Sequence, residues 1–349
     1  MAHRGHAHRR SVVLWSGVRV LTATPRPWAV TALFVAAILV GSLTGALAPA
    51  AGVALASMVD PSIMVLVGLL VFTLRLDSLA ALKRAPRTVL LALAFNFALV
   101  PLIAFCLTSL LLPEQALRLG VLIYCLFPCT DWFLGFTRMA GGDTTTGAAL
   151  IPIQMTLQLV LYPVWLGLFG GQQVGSSPVE IAPTLVTWFA VPAGVALGAR
   201  LLLRLCLAVA ARERIVDAAD RLVPLVIAVV ILGLFAGNVG TILADPASFA
   251  WVLLVVFLFF VVVFVIGEGV ARLFGLGYPA RALLTMTTSA RNAPLMLAVT
   301  TVALPDQPVV YAAIILGMLI EFPHLTVLTH LLRWQEKQRE RASRASVSV

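Results

Sequence analysis

Thr285-Met286-Thr287-Thr288-Ser289-Ala290-Arg291-Asn292-Ala293-Pro294 is a polar run set between two apolar ones. With its flanks it forms a segment, 280–304, long enough to cross a bilayer, which takes about 20 residues of helix. A charge at the bilayer centre costs at least a few kcal/mol. Proline removes a backbone donor and clashes with the preceding turn. Backbone groups freed in this way must be satisfied by other protein groups or by cavity water. The run therefore predicts a broken helix at a binding site, with a simple proline kink packed by hydroxyls as the alternative. A second interruption, Pro128-Cys129-Thr130-Asp131, sits inside the apolar segment 117–138. Two breaks at equivalent places favour the first reading.

Eight further apolar segments surround these two, at 28–48, 58–76, 88–112, 145–169, 181–202, 222–243, 247–271 and 309–332. The chain of 349 residues is 61% hydrophobic and only 11% charged, where a soluble domain carries about 25%. No stretch is left for a soluble domain. The expected fold class is an all-α membrane protein of ten transmembrane helices. The segment before residue 28 carries five arginines and three histidines and lacks a convincing cleavage site; it reads as a cytoplasmic tail. The four cysteines, at 106, 125, 129 and 206, do not suggest a disulfide framework.

The net charge of +9 is topogenic rather than a sign of nucleic-acid binding. With both termini inside the cell, 22 of the 24 Lys and Arg residues fall in inner loops and tails, as basic residues do in membrane proteins. The exceptions are Arg118, in an outer loop, and Arg291, inside a span. Membrane lipids with anionic headgroups are the expected neighbours, and the inner cell membrane is the expected location. The chain then divides into a cytoplasmic tail (1–27), a first five-helix repeat (28–170), an external linker (171–179), a second, inverted five-helix repeat (180–332) and a cytoplasmic tail (333–349). Opposite orientation of two halves is the architecture of many secondary transporters.

Ionisable residues inside spans are functional candidates by default. Asp131 and Arg291 occupy the two breaks and are expected to face each other; Arg291 held by carbonyls is the competing reading. Glu321, in Gly317-Met318-Leu319-Ile320-Glu321-Phe322-Pro323-His324, is the first choice for a proton-coupling residue, with Asp131 beside it. A fixed ion pair with Arg291 is the alternative for Glu321. His324 and Glu268 read as structural, Glu268 within reach of headgroups or Arg272. Asn96, Gln154, Gln158 and Ser289 are expected to line a cavity, or to glue helices together by hydrogen bonds. Thr130 and Asn292 belong to the breaks. Cys129 offers a soft ligand at the first break, whereas Cys125 reads as packing.

These residues resemble the bile acid:sodium symporter superfamily, and within it the arsenical-resistance arsenite permeases. Gly317 to Pro323 is similar to the Gly-Pro-Leu-Val-Glu-Val-Pro pattern of those permeases. Asn96-Phe97 with Pro101-Leu102, the segment ending at Cys129, and Val191-Pro192-Ala193-Gly194 with Arg200 resemble further family motifs. The resemblance implies a panel and a core domain, with broken helices 4 and 9 crossing at mid-membrane. It also implies that Cys129 and Glu321 are needed for transport and that arsenite is exchanged for protons. Ala290-Arg291-Asn292-Ala293-Pro294 departs from the Ser-Asn-Asn-Phe-Glu usual in those permeases, and a fixed cation there would oppose a sodium site nearby, which favours proton coupling.

Two substrates follow. A metalloid oxyacid would bind at Cys129, Thr130, Asn292 and Arg291, with Glu321 or Asp131 carrying a proton. A small organic anion would instead use Arg291 as its counter-charge. The sequence has no His-Glu-x-x-His run, no Gly-rich nucleotide loop followed by lysine and no paired catalytic carboxylates. The expectation is therefore not an enzyme, with no cofactor, no resident metal and no nucleic-acid partner.

Overall fold

The computed structural model describes residues 27–74, 80, 82–130, 132–169 and 178–347. Asp131, the first 26 residues and most of the expected external linker lie outside the described residues. The described chain is all-helical, and six of its helices are long and apolar enough to cross a membrane.

Helix α1 (Pro27–Leu47) is followed by α2 (Pro49–Ala56) and α3 (Val59–Thr73). Proline starts α2, where its missing N–H costs nothing. Next come α4 (Pro86–Ala94) and α5 (Val100–Leu111), joined by a π-helical turn at Phe95–Leu99. Pro101 lies just beyond that turn, and Val100 N–H reaches back to Phe95 O. The wide turn is the helix's accommodation of a residue without a donor.

Helices α6 (Gln115–Leu126) and α7 (Phe133–Ala140) are the two parts of one interrupted segment, and α8 (Thr144–Phe169) follows. Then come α9 (Pro178–Cys206), α10 (Val209–Ala244) and α11 (Pro246–Leu273). A second interrupted segment is made of α12 (Tyr278–Ser289) and α13 (Ala293–Ala303), and α14 (Pro308–Val347) ends the chain.

The helices overlie the apolar segments expected from sequence, but their ends differ. The predicted inner loop between the sixth and seventh segments is almost wholly helical, because α9 runs to Cys206 and α10 starts at Val209. The expected C-terminal tail likewise continues α14 to Val347. Apolarity marks what a bilayer would cover, whereas a helix persists until a cap or a breaker ends it.

Helices α1, α2, α3 and α9 gather around or beside α10, while α6 lies along α14 with α5, α11 and α13 nearby. Small residues let these backbones approach, as expected where packing rather than water drives association. Gly41 and Gly45 of α1 face the backbone oxygens of Leu232 and Ala236 on α10, with no space for a Cβ. Gly194 and Gly198 of α9, by contrast, have open space around them. On α14, a Cβ at Gly317 would come within 2.6 Å of the Tyr124 ring. That ring therefore lies flush on a bare patch of α14.

Arg118, expected in an outer loop, lies in the first turn of α6 and caps α5: its Nε and Nη2 donate to Leu112 O at 3.1 and 3.0 Å. Glu268 is 6% exposed and pairs chiefly with Arg281, not Arg272. Arg281 donates from Nε to Oε1 at 2.7 Å, and its Nη2 lies 2.6 Å from Oε2, whereas Arg272 stays 3.9 Å away. The 13-residue separation crosses the α11–α12 turn, which no helical spacing rule would reveal.

Candidate functional site

Both expected breaks are present, and they meet. Phe127 and Ala290 leave the ends of α6 and α12 in extended conformation. The two short segments then run antiparallel, with Pro128 opposite Arg291. Cys129 N–H donates to Ala290 O at 2.9 Å, and Asn292 N–H donates to Phe127 O at 3.0 Å. Each break thus satisfies backbone groups that the other's helices leave free. Pro128 takes the position in this pairing that requires no donor. By the same geometry the Arg291 N–H points away from the pairing, and it donates to Glu321 Oε1 at 2.9 Å.

Glu321 is fully buried and holds three donors. Oε1 accepts the Arg291 N–H and the Trp132 indole N–H, the latter at 2.8 Å. Oε2 accepts the Tyr124 hydroxyl at 2.9 Å. Trp132 stands directly before α7, so the carboxylate is tied to both breaks at once. Phe34 and Phe322 hold the Trp132 ring, with centroids 5.9 and 5.2 Å away. Gly317 and Glu321 are four residues apart on one face of α14. Tyr124 lies across the first and reaches the second.

The Arg291 side chain is also fully buried. Its Nη1 donates to Cys125 O at 3.0 Å. Its Nη2 is shared among Asn96 Oδ1 at 3.1 Å, Thr287 O at 3.3 Å and Thr288 O. The guanidinium carbon stands 5.9 Å from the Phe259 ring centroid, a distance at which a ring face attracts a cation. The contacts with Glu321 run through the Arg291 backbone; among the described residues no carboxylate forms an ion pair with its guanidinium. The fixed Glu321–Arg291 ion pair is thus not the arrangement seen. The expected Asp131–Arg291 pairing lies outside the described residues.

Asn292, Thr130, Gln154 and Asn96 are tied to this core. Asn292 Nδ2 donates to Thr130 Oγ1 at 3.0 Å, linking the breaks a third time. Thr287 Oγ1 receives Gln154 Nε2 at 2.8 Å and Asn96 Nδ2 at 3.4 Å. Gln154 Oε1, both amide atoms of Gln158 and Ser289 Oγ are buried without a hydrogen-bond partner among the described residues. Cys125 and Cys129 are both buried, but α6 ends at Leu126, so helical spacing does not put them on one face. His324 stacks on Phe260 at 4.7 Å with its Nε2 unpartnered.

Nothing in the sequence singles out Tyr124, Trp132 and Thr287 themselves, whose places in the site follow from tertiary contacts. Gly317 gave one usable sign, since a glycine four residues before a buried carboxylate leaves room for a large partner.

Residues 60–245 match the Sodium Bile acid symporter family. The chain belongs to that family. As a sodium bile acid symporter family member it is a secondary transporter, and its apolar helices are those of a multi-pass membrane protein. The chain is also similar to the Arsenical-resistance protein Acr3 of Corynebacterium glutamicum, 24% identical over 259 residues, covering 70% of this chain and 69% of that one.

Proposed function

We propose that the chain exports a neutral trihydroxide of arsenic or antimony in exchange for protons. The observation that carries this reading is the Glu321 carboxylate, buried and bonded to both breaks. An ionised carboxylate can only accept hydrogen bonds. Protonation of Oε1 would set an O–H against the N–H groups of Trp132 and Arg291, so one contact must open. A proton on Oε1 would thereby loosen one break from α14 and couple protonation to movement of the substrate site, whereas a proton on Oε2 would be met by the Tyr124 hydroxyl turning from donor to acceptor.

The site's chemistry supports an uncharged substrate. Cys129, Thr130 and Asn292 lie at the paired breaks, and Cys129 supplies a soft sulfur ligand. The unpartnered hydroxyl of Ser289, the last residue of α12 before the second break, suits a molecule rich in hydroxyls. Likeness to the Arsenical-resistance protein Acr3 points the same way. An organic anion held by Arg291 would have to compete with Cys125 O, Thr287 O, Thr288 O and Asn96 Oδ1 for the guanidinium. Asp131 is retained in this reading as a second proton carrier.

The accompanying architecture is ten spans in two inverted five-helix repeats, 28–170 and 180–332, with the broken helices crossing at mid-membrane and both termini cytoplasmic in the cell membrane. The alternation of basic loops supports it, as do two interrupted segments at matching places. Expression in a metalloid-sensitive host tests the function. Growth in arsenite or antimonite should be restored by the wild-type chain and not by Cys129→Ser or Glu321→Gln. Failure of the wild-type chain to protect, with transport of a carboxylate instead, would favour the anion carrier.

A further inference from the structure

The surroundings of the Arg291 guanidinium have the makings of a cation site in their own right. Cys125 O belongs to the last turn of α6; Thr287 O and Thr288 O belong to the last turn of α12. Asn96 Oδ1 completes the set from the π-helical turn. Each of these two 12-residue helices directs its negative end at one point. A helix C-terminus carries roughly half a negative charge, so two of them together match about one positive charge. The described oxygens are all neutral carbonyl or amide oxygens, a poor set for a divalent ion, which favours carboxylates. The Phe259 ring adds a cation-attracting surface.

We propose that this is a monovalent-cation site that the chain fills with its own guanidinium, and that removing the side chain exposes it to an external monovalent cation. Arg291 is then a tethered cation. It keeps the ends of α6 and α12 together without an ion from solution. The inference concerns the site's affinity for charge and stands apart from the identity of the transported substrate.

The full-length protein, purified in detergent, provides the test. Thermal unfolding is followed for wild type and Arg291→Ala in N-methylglucamine chloride, with guanidinium, sodium, potassium or magnesium chloride added at millimolar concentration and constant ionic strength. The wild type should be indifferent to all four. Arg291→Ala should unfold at lower temperature, and guanidinium or one of the alkali ions should restore at least half of the loss along a saturable curve. Magnesium should not. No restoration by any monovalent cation, equal restoration by magnesium, or the same response in the wild type would overturn the proposal. Should Arg291→Ala fail to fold, Arg291→Lys and Arg291→Gln replace it. The charged variant should be clearly more stable than the neutral one, and equal stability would show that the site does not require charge.

Discussion

Trp132 donates its indole N–H to Glu321 Oε1 at 2.8 Å, the same oxygen that takes the backbone N–H of Arg291 from the opposite break. One atom of α14 therefore reports on, and holds, two interruptions that are 159 residues apart in sequence. The pairing of Pro128 with Arg291 brings the breaks together, and Glu321 fixes them to α14.

Glu321→Gln should fold and Glu321→Ala should not fold well. The amide oxygen of glutamine can still accept both N–H groups on one side, and its NH₂ can donate to the Tyr124 oxygen. Alanine leaves the Trp132, Arg291 and Tyr124 donors unpaired, and each buried unpaired donor costs about 1–3 kcal/mol. Thermal unfolding in detergent should show a small shift for the first variant and a large loss for the second.

Gly317→Ala should destabilise the α6–α14 contact. A Cβ there lies 2.6 Å from the Tyr124 ring, and overpacking costs about 1–3 kcal/mol. The displaced ring would also lose its bond to Glu321. Gly240→Ala is the control: nothing lies within 4 Å of its added Cβ. Inside α10, one turn before its end, that change should be neutral or stabilising by up to about 0.5–1 kcal/mol. Comparing unfolding temperatures of the two variants decides it.

Glu268→Ala should cost about 3–5 kcal/mol, because Arg281 would be left buried with its charge uncompensated. Glu268→Leu combined with Arg281→Met should recover most of that loss. A double variant no more stable than the single one would mean that the pair contributes through its geometry at the α11–α12 turn and not through charge balance.

Cys129→Ser and Cys125→Ser should separate in a metalloid-resistance assay. Cys129 sits at the paired breaks, and its N–H is bonded to Ala290 O. Cys125 is packed in the last turn of α6, where its carbonyl receives Arg291. Resistance should fall more than tenfold for the first and stay within about twofold for the second, since a hydroxyl at position 125 can bond back to the Val121 carbonyl within α6.

How far the sequence reveals this molecule depends on which physical cost a residue carries. A proline or a charge inside an apolar run is expensive anywhere, so both breaks, Arg291 and Glu321 stand out unaided. Helix ends carry no such cost: residues 209–221 are charged and look like a loop, yet α10 runs through them. Tyr124 and Trp132 are ordinary in apolar helices and acquire their roles only through tertiary contact with Glu321. Asn96 and Gln154 are polar enough to notice, but that both bond Thr287 follows from the meeting of α12 with the π-helical turn and α8. The Glu268–Arg281 pair is hidden for the same reason, being made across a turn.

The most direct test of the central claim is arsenite uptake into everted membrane vesicles, driven by an imposed pH gradient in sodium-free buffer. The wild-type chain should accumulate arsenite, collapse of the gradient should stop it, and Glu321→Gln, folded but unable to exchange a proton, should not respond to the gradient. Gradient-driven accumulation that survives in Glu321→Gln, or no accumulation by the wild type, would contradict the account.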